Sequence, residues 1–105
     1  VVNRKLKGKP TTPEQKKIKL DQKKGTFTIS WNKSKNAEKV QILMRKDNGK
    51  YKVWRTVPAS KCKVEYSYRK YLKKSHKYKF KLRAYYIVDK TKIYSEMSDD
   101  WTIRY

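Results

Sequence analysis

At 105 residues the chain has the length of one ordinary domain, long enough to bury a single core without staples. Hydrophobic residues make up 36% and charged residues 37%, a balance that leans toward disorder, yet nine Tyr, three Trp and two Phe are spread along the chain. Disordered segments are poor in aromatics, so a folded domain with a heavily charged surface is the better reading. Thirty Lys and Arg against nine Asp and Glu give a formal charge of +21, which predicts attraction to polyanions: nucleic acid, anionic lipid or an anionic cell-wall polymer. No run of about 18 apolar residues is present, so no spanning helix is expected. Cys62 stands alone, which excludes an internal disulfide and any CxxC metal or redox motif. No signal peptide is recognisable, and the start at Val1 rather than Met reads as a processed chain or a piece of a longer protein.

Residues 1–17 are rich in Lys and Arg, carry Pro10 and Pro13, and show no apolar period, so they read as a basic linker ahead of a domain over residues 18–105. From Ile18 the pattern changes to period two. Ile18 and Leu20 bracket Lys19, and Phe27, Ile29 and Trp31 alternate with small polar residues in TFTISW. Val40, Ile42 and Met44 alternate in VQILMR; Asn48-Gly49 follows, a pair that favours positive φ in tight hairpins, and Tyr51–Val57 is the returning strand. Val64, Tyr66 and Tyr68 alternate next, and a short helix-like stretch surrounds Tyr68 to Lys74. Tyr78, Phe80, Leu82 and Ala84 then alternate with Lys77, Lys79, Lys81 and Arg83 in the clearest strand of the chain. A turn near Asp89-Lys90 leads to a last strand region from about Ile93 to Ile103. About seven short strands, with turn signals between them and no long helix, predict an all-β, two-sheet antiparallel β-sandwich.

In their order these strands resemble a fibronectin type III domain, an immunoglobulin-like sandwich, of the kind found in tandem in bacterial extracellular proteins. The resemblance covers about Lys17 to Ile103. Trp31 sits where the family places a core Trp on its second strand. Leu72 and Tyr78 in LKKSHKY are similar to the family's Leu-x5-Tyr corner, whose Tyr hydroxyl ties the chain crossing between sheets to backbone. YKFKLRA is similar to its Tyr-x-Phe-x-Val-x-Ala strand, and IYSEMSDDWTI to its closing strand. Trp31, Leu72, Tyr78, Phe80 and Leu82 are thus expected in the core. KVEYSYRKYL does not register cleanly on the family's usual fifth strand, so an insertion or bulge is expected before Leu72. The resemblance implies a non-catalytic module, monomeric when isolated, with the other domains of a parent protein as its partners. It also implies a secreted or cell-surface location, on a Gram-positive bacterium. No RGD tripeptide is present, so the integrin-binding loop of some animal members is not carried over.

The residues offer little for catalysis. His76 is the single histidine, which rules out a His-based triad or a multi-His metal site within the chain. Asp99 and Asp100 are adjacent, and on a strand they point to opposite faces, wrong for paired acid–base work. Cys62 is flanked by Lys61 and Lys63 but has no partner base, and no Gly-rich phosphate loop exists. No catalytic residue, cofactor or metal site is expected.

The positive lead is charge. Lys77, Lys79, Lys81 and Arg83 project from one strand face about 7 Å apart. In the fold the resemblance implies, that strand pairs with Val40–Met44, bringing Lys39 and Arg45 onto the same face with Leu43 between them. Lys50 and Lys52 are placed next along the hairpin. Such a face serves either to keep an exposed sheet soluble or to bind an anionic glycan or wall polymer. A charge-driven nucleic-acid-binding protein and an accessory domain of a secreted enzyme are the alternatives. Nucleic acid is the weaker of the partners, because most rings fall on the expected core side, with Trp54 and Tyr85 as exposed exceptions.

Overall fold

A computed structural model describes residues 9–104. The strands are β1 (Gln15–Asp21), β2 (Thr26–Trp31), β3 (Lys39–Lys46), β4 (Lys52–Pro58), β5 (Lys63–Ser67), β6 (Lys77–Val88), β7 (Thr91–Tyr94) and β8 (Trp101–Arg104). A single helical turn, α1 (Tyr68–Tyr71), joins β5 to the β6 region. The order β1-β2-β5 makes one sheet; β4-β3-β6-β7 makes the other, with β8 also paired to β6, and every pairing is antiparallel.

Alternation builds the core. Phe27, Ile29 and Trp31 from β2 face Val40 and Ile42 from β3 and Tyr78, Phe80, Leu82 and Ala84 from β6, all of them buried, in one cluster between the sheets. Burying each large apolar side chain stabilises by roughly 1.5–3 kcal/mol, so this cluster sets the fold. The sandwich therefore has one solvent-facing side on each sheet.

The chain crosses between the sheets after β5. Ser67 caps α1, its hydroxyl accepting the Lys70 N–H at 3.2 Å, and the Leu72 N–H closes the turn on the Tyr68 carbonyl at 2.9 Å. Leu72 is buried, and the Tyr78 hydroxyl accepts the Lys73 N–H at 2.8 Å. The Leu-x5-Tyr pattern thus forms the corner that the sequence resemblance implies, and the irregular stretch before Leu72 is this helical turn.

Three local features differ from the sequence reading. The domain begins before residue 18: β1 starts at Gln15, Pro10 and Pro13 are buried, and Thr11 exchanges bonds with Lys35 (N–H to carbonyl 3.1 Å, Oγ1 from N–H 2.7 Å). Proline packs as apolar surface without contributing a ladder donor, so it leaves no period in the sequence. The rest of the expected linker, residues 1–8, lies outside the described residues. At the β3–β4 connection positive φ falls on Asp47 (52°), not on Asn48-Gly49. Asp47 is held there from β6: its N–H donates to the Lys77 carbonyl at 2.7 Å and its Oδ1 accepts the Lys77 N–H at 3.0 Å.

The last strand is split in two, and serine hydroxyls fill the gap. Ser95 and Ser98 donate their N–H groups to the Ala84 and Leu82 carbonyls, both at 2.8 Å. Their Oγ atoms accept the Ala84 and Leu82 N–H groups, both at 2.9 Å. The central strand thus keeps its hydrogen bonds where its neighbour bends away, as a buried ladder requires. With β7 and β8 taken as halves of one interrupted strand, the sandwich has seven strands.

Candidate polyanion-binding face

The outer side of the five-stranded sheet collects the cations. Lys77, Lys79, Lys81 and Arg83 alternate with core residues along β6 and are half-buried. In the β3–β6 register Lys79 stands opposite Arg45, Lys81 opposite Leu43, Arg83 opposite Gln41 and Tyr85 opposite Lys39. On the other side of β6, Lys77 stands opposite Arg104. Six of the seven residues singled out for this face therefore share it: Lys39, Arg45, Lys77, Lys79, Lys81 and Arg83.

Lys52 does not share it. The register places Lys52 opposite Met44, whose side chain packs against the core. The cause is a one-residue bulge in β4: Ile42 pairs with Arg55 and Leu43 with Val53, leaving Trp54 as the extra residue. A bulge inverts the facing of everything on one side of it, and period-two reading cannot see it. The same bulge turns Trp54 inward. Its ring lies 6.0 Å from Phe27 and 5.8 Å from Phe80, and the Arg55 guanidinium covers it at 4.4 Å.

The cationic face is built rather than loose. Arg83 directs Nε and Nη2 to Gln41 Oε1 (3.0 and 2.6 Å) while its guanidinium lies 4.0 Å from the centre of the Tyr94 ring. Lys81 Nζ stands 4.8 Å from the Tyr51 ring, and Lys92 Nζ 5.0 Å from Tyr85. Each such contact contributes on the order of 0.5–1 kcal/mol at an exposed site and limits where the charged head can go. Gln41, Leu43 and Tyr85 are buried although they stand on this outer side, because the long Lys and Arg stems lie over them. Tyr85 accordingly faces outward as the sequence suggested but is only 6% exposed. Of the three rings under cations here, Tyr51 and Tyr94 are not apparent from alternation: Tyr51 precedes the bulge and Tyr94 sits at the end of the short β7.

One carboxylate reaches into the face. Asp100 Oδ2 accepts the Tyr51 hydroxyl at 3.2 Å and lies 3.8 Å from Lys79 Nζ. Burial, with the adjacent Asp100 charge, raises the Tyr51 phenol above its ordinary value, so it remains a neutral donor.

The remaining candidate groups are not assembled. His76 Nδ1 lies 2.6 Å from Asp47 Oδ2, at the end of the sheet. The Lys77 N–H, followed by His76, holds the Asp47 carboxyl below the usual carboxylate range. Cys62 is half-buried, with Sγ 4.0 Å from the Ser60 carbonyl. Among the described residues no three His, Cys, Asp or Glu side chains are placed to share a metal ion, and no helix is long and apolar enough to cross a membrane.

The two antiparallel sheets, the tyrosine corner and the strand order define a fibronectin type III fold. The solved structure of FN3tt mut, an FN3-type domain, matches with a TM-score of 0.54 over 90% of this chain and 91% of that chain, at 20% identity. A likeness at that identity speaks for the fold alone. No family model and no curated protein sequence matches the chain.

Proposed function

We propose that this fibronectin type III-like domain is a non-catalytic module of a larger secreted or cell-surface protein, and that it docks on an anionic polymer through the outer face of its five-stranded sheet. The observation that carries the reading is the arrangement on β3 and β6. Arg45 faces Lys79 directly, and Lys81 and Arg83 are held in place by Tyr51, Tyr94 and Gln41. A face needed only for solubility gains nothing from orienting its cations. A face that tracks a chain of regularly spaced anions does, because ordering done in advance reduces the entropy lost on binding.

The polymer is a wall polyphosphate or a sulfated or carboxylated glycan rather than nucleic acid. The rings on this face lie under cations and are not free to stack on bases, which single-stranded nucleic acid binders require.

Binding to a teichoic polymer, a heparin-like glycan and duplex DNA, compared at about 50 mM salt, tests the assignment. Binding to either of the first two, tighter than to DNA, is expected. If none of the three is bound, the face is a solubility device. If DNA is bound most tightly and with base preference, the nucleic-acid alternative replaces the surface-module reading.

A further inference from the structure

A second site lies away from the sheet face. At the end of the sandwich where β1, α1 and β8 meet, a cleft of about 370 Å³ opens between the two sheets. Its floor is apolar: Leu20, Tyr68 and Ile103. Ile103 and Tyr68 belong to the core, but Leu20 is 51% exposed, a large apolar side chain left facing the opening. Three cations from three separate elements rim it: Arg69 from α1, Lys74 from the corner loop and Arg104 from β8. None of the three forms a salt bridge with any described carboxylate.

Arg69 is fixed in position. Its Nη2 donates to the Gln22 carbonyl at 3.1 Å, and its side chain packs against Gly25 so closely that a β-carbon there would lie 2.7 Å from Nε. Gly25 has φ +70° and is tied to both neighbours of the cleft, its N–H donating to the Asp21 carbonyl (2.8 Å) and its carbonyl accepting the Tyr68 N–H (2.9 Å). The absent side chain at residue 25 thus makes the room that Arg69 occupies. With one nitrogen used on Gln22, the guanidinium keeps further donors for a planar or tetrahedral anion.

From three cations that form no ion pair among the described residues, set over an apolar floor, we infer that this cleft binds an organic phosphate monoester, its dianionic head among Arg69, Lys74 and Arg104 and its apolar body on Leu20 and Ile103. A monocarboxylate would leave more of the positive charge uncompensated, and a bare inorganic anion would leave the Leu20 surface wet. The volume lies within the range of small-ligand sites. The inference stands independently of the sheet face: Leu20, Tyr68, Arg69 and Lys74 lie outside the five-stranded sheet, Ile103 points from β8 into the core, and of the residues named here Arg104 alone borders both.

Phenyl phosphate is the probe, with inorganic phosphate and benzyl alcohol as its two halves, each titrated into the ¹⁵N-labelled chain. Phenyl phosphate is expected to move the amides of Leu20, Arg69, Lys74 and Ile103 saturably, more tightly than either half. Arg69→Gln should weaken it about tenfold, the discrimination of one lost charged contact. Leu20→Ser should weaken phenyl phosphate while leaving inorganic phosphate unchanged. Lys79→Gln/Lys81→Gln, which depletes the sheet face, should leave the cleft titration as it was. The inference is overturned if the shifts spread evenly over the lysines of β6, if phenyl phosphate binds no better than inorganic phosphate, or if neither Arg69→Gln nor Lys74→Gln changes the affinity of a chain whose spectrum shows it folded.

Discussion

Arg45 and Lys79 stand directly opposite one another in the β3–β6 ladder, two cations at a position where sheets ordinarily set opposite charges. Like charges so placed are destabilising by a few tenths to about 1 kcal/mol. Lys77 and Arg104 repeat the arrangement on the other side of β6. The repulsion is held in a folded sheet, and an anion docked as proposed would relieve it, so the proposed binding and stability would be linked.

The first prediction concerns that repulsion. Arg45→Glu should raise the urea midpoint at low salt and flatten its dependence on added NaCl, because the half-buried pair becomes attractive and screening then works against it. Lys19→Glu makes the same change in net charge on the other sheet, where Lys19 faces Thr28. It should flatten the salt dependence less. Equal salt slopes for the two variants would show that only net charge matters and that the register does not.

The split edge strand gives a second. Ser98→Ala removes the acceptor for the Leu82 N–H, in the most buried part of β6. A buried donor left unsatisfied costs about 1–3 kcal/mol. The denaturation midpoint should fall accordingly, and the Leu82 amide should exchange its proton faster than in the parent chain. An unchanged Leu82 exchange rate would mean that the hydroxyl does not serve as the ladder acceptor.

How much of this was legible in the sequence follows from what period-two patterning can report. TFTISW and YKFKLRA gave both central strands and their inward faces, because Phe27, Ile29, Phe80 and Leu82 alternate without interruption. Leu72 and Tyr78 gave the corner. Lys52 and Trp54 were misplaced because the β4 bulge shifts facing by one residue without altering composition. Pro10 and Pro13 read as linker in the sequence because buried prolines follow no period. The cleft under Arg69 was invisible, since Leu20, Tyr68 and Ile103 come from three distant segments.

A third prediction tests the turn at Asp89-Lys90, where both residues have positive φ (48° and 67°) between Val88 and Thr91. A two-residue hairpin of this kind suits glycine at its second position, and a side chain there is strained by on the order of 1 kcal/mol. Lys90→Gly should therefore stabilise the domain by about 1 kcal/mol in chemical denaturation, against the usual loss on introducing glycine. A lower midpoint would contradict the left-handed assignment.

The acid limb of the stability profile supplies the fourth. The Asp47 carboxyl is held below its ordinary value in the folded chain, first by the Lys77 N–H and then by His76. A depressed carboxylate stabilises fully above its unfolded value of about 3.9, and that contribution is lost as pH falls through the lower folded value. Asp47→Asn keeps an acceptor and tolerates positive φ, but carries no charge to lose. Its denaturant midpoint should fall less steeply than the parent's between about pH 5 and pH 2. Parallel acid limbs would remove Asp47 from the account.

The most direct test of the sheet face is the salt dependence of polymer binding with and without its cations. The chain and a variant with Lys77, Lys79, Lys81 and Arg83 all changed to Gln are titrated with teichoic polymer between about 50 and 200 mM salt, the range over which counterion release lowers affinity steeply. The account predicts weaker binding by the variant and a log–log slope shallower by roughly three, about 0.7–0.9 for each phosphate no longer neutralised. A variant that stays folded and keeps both the affinity and the slope of the parent would contradict it.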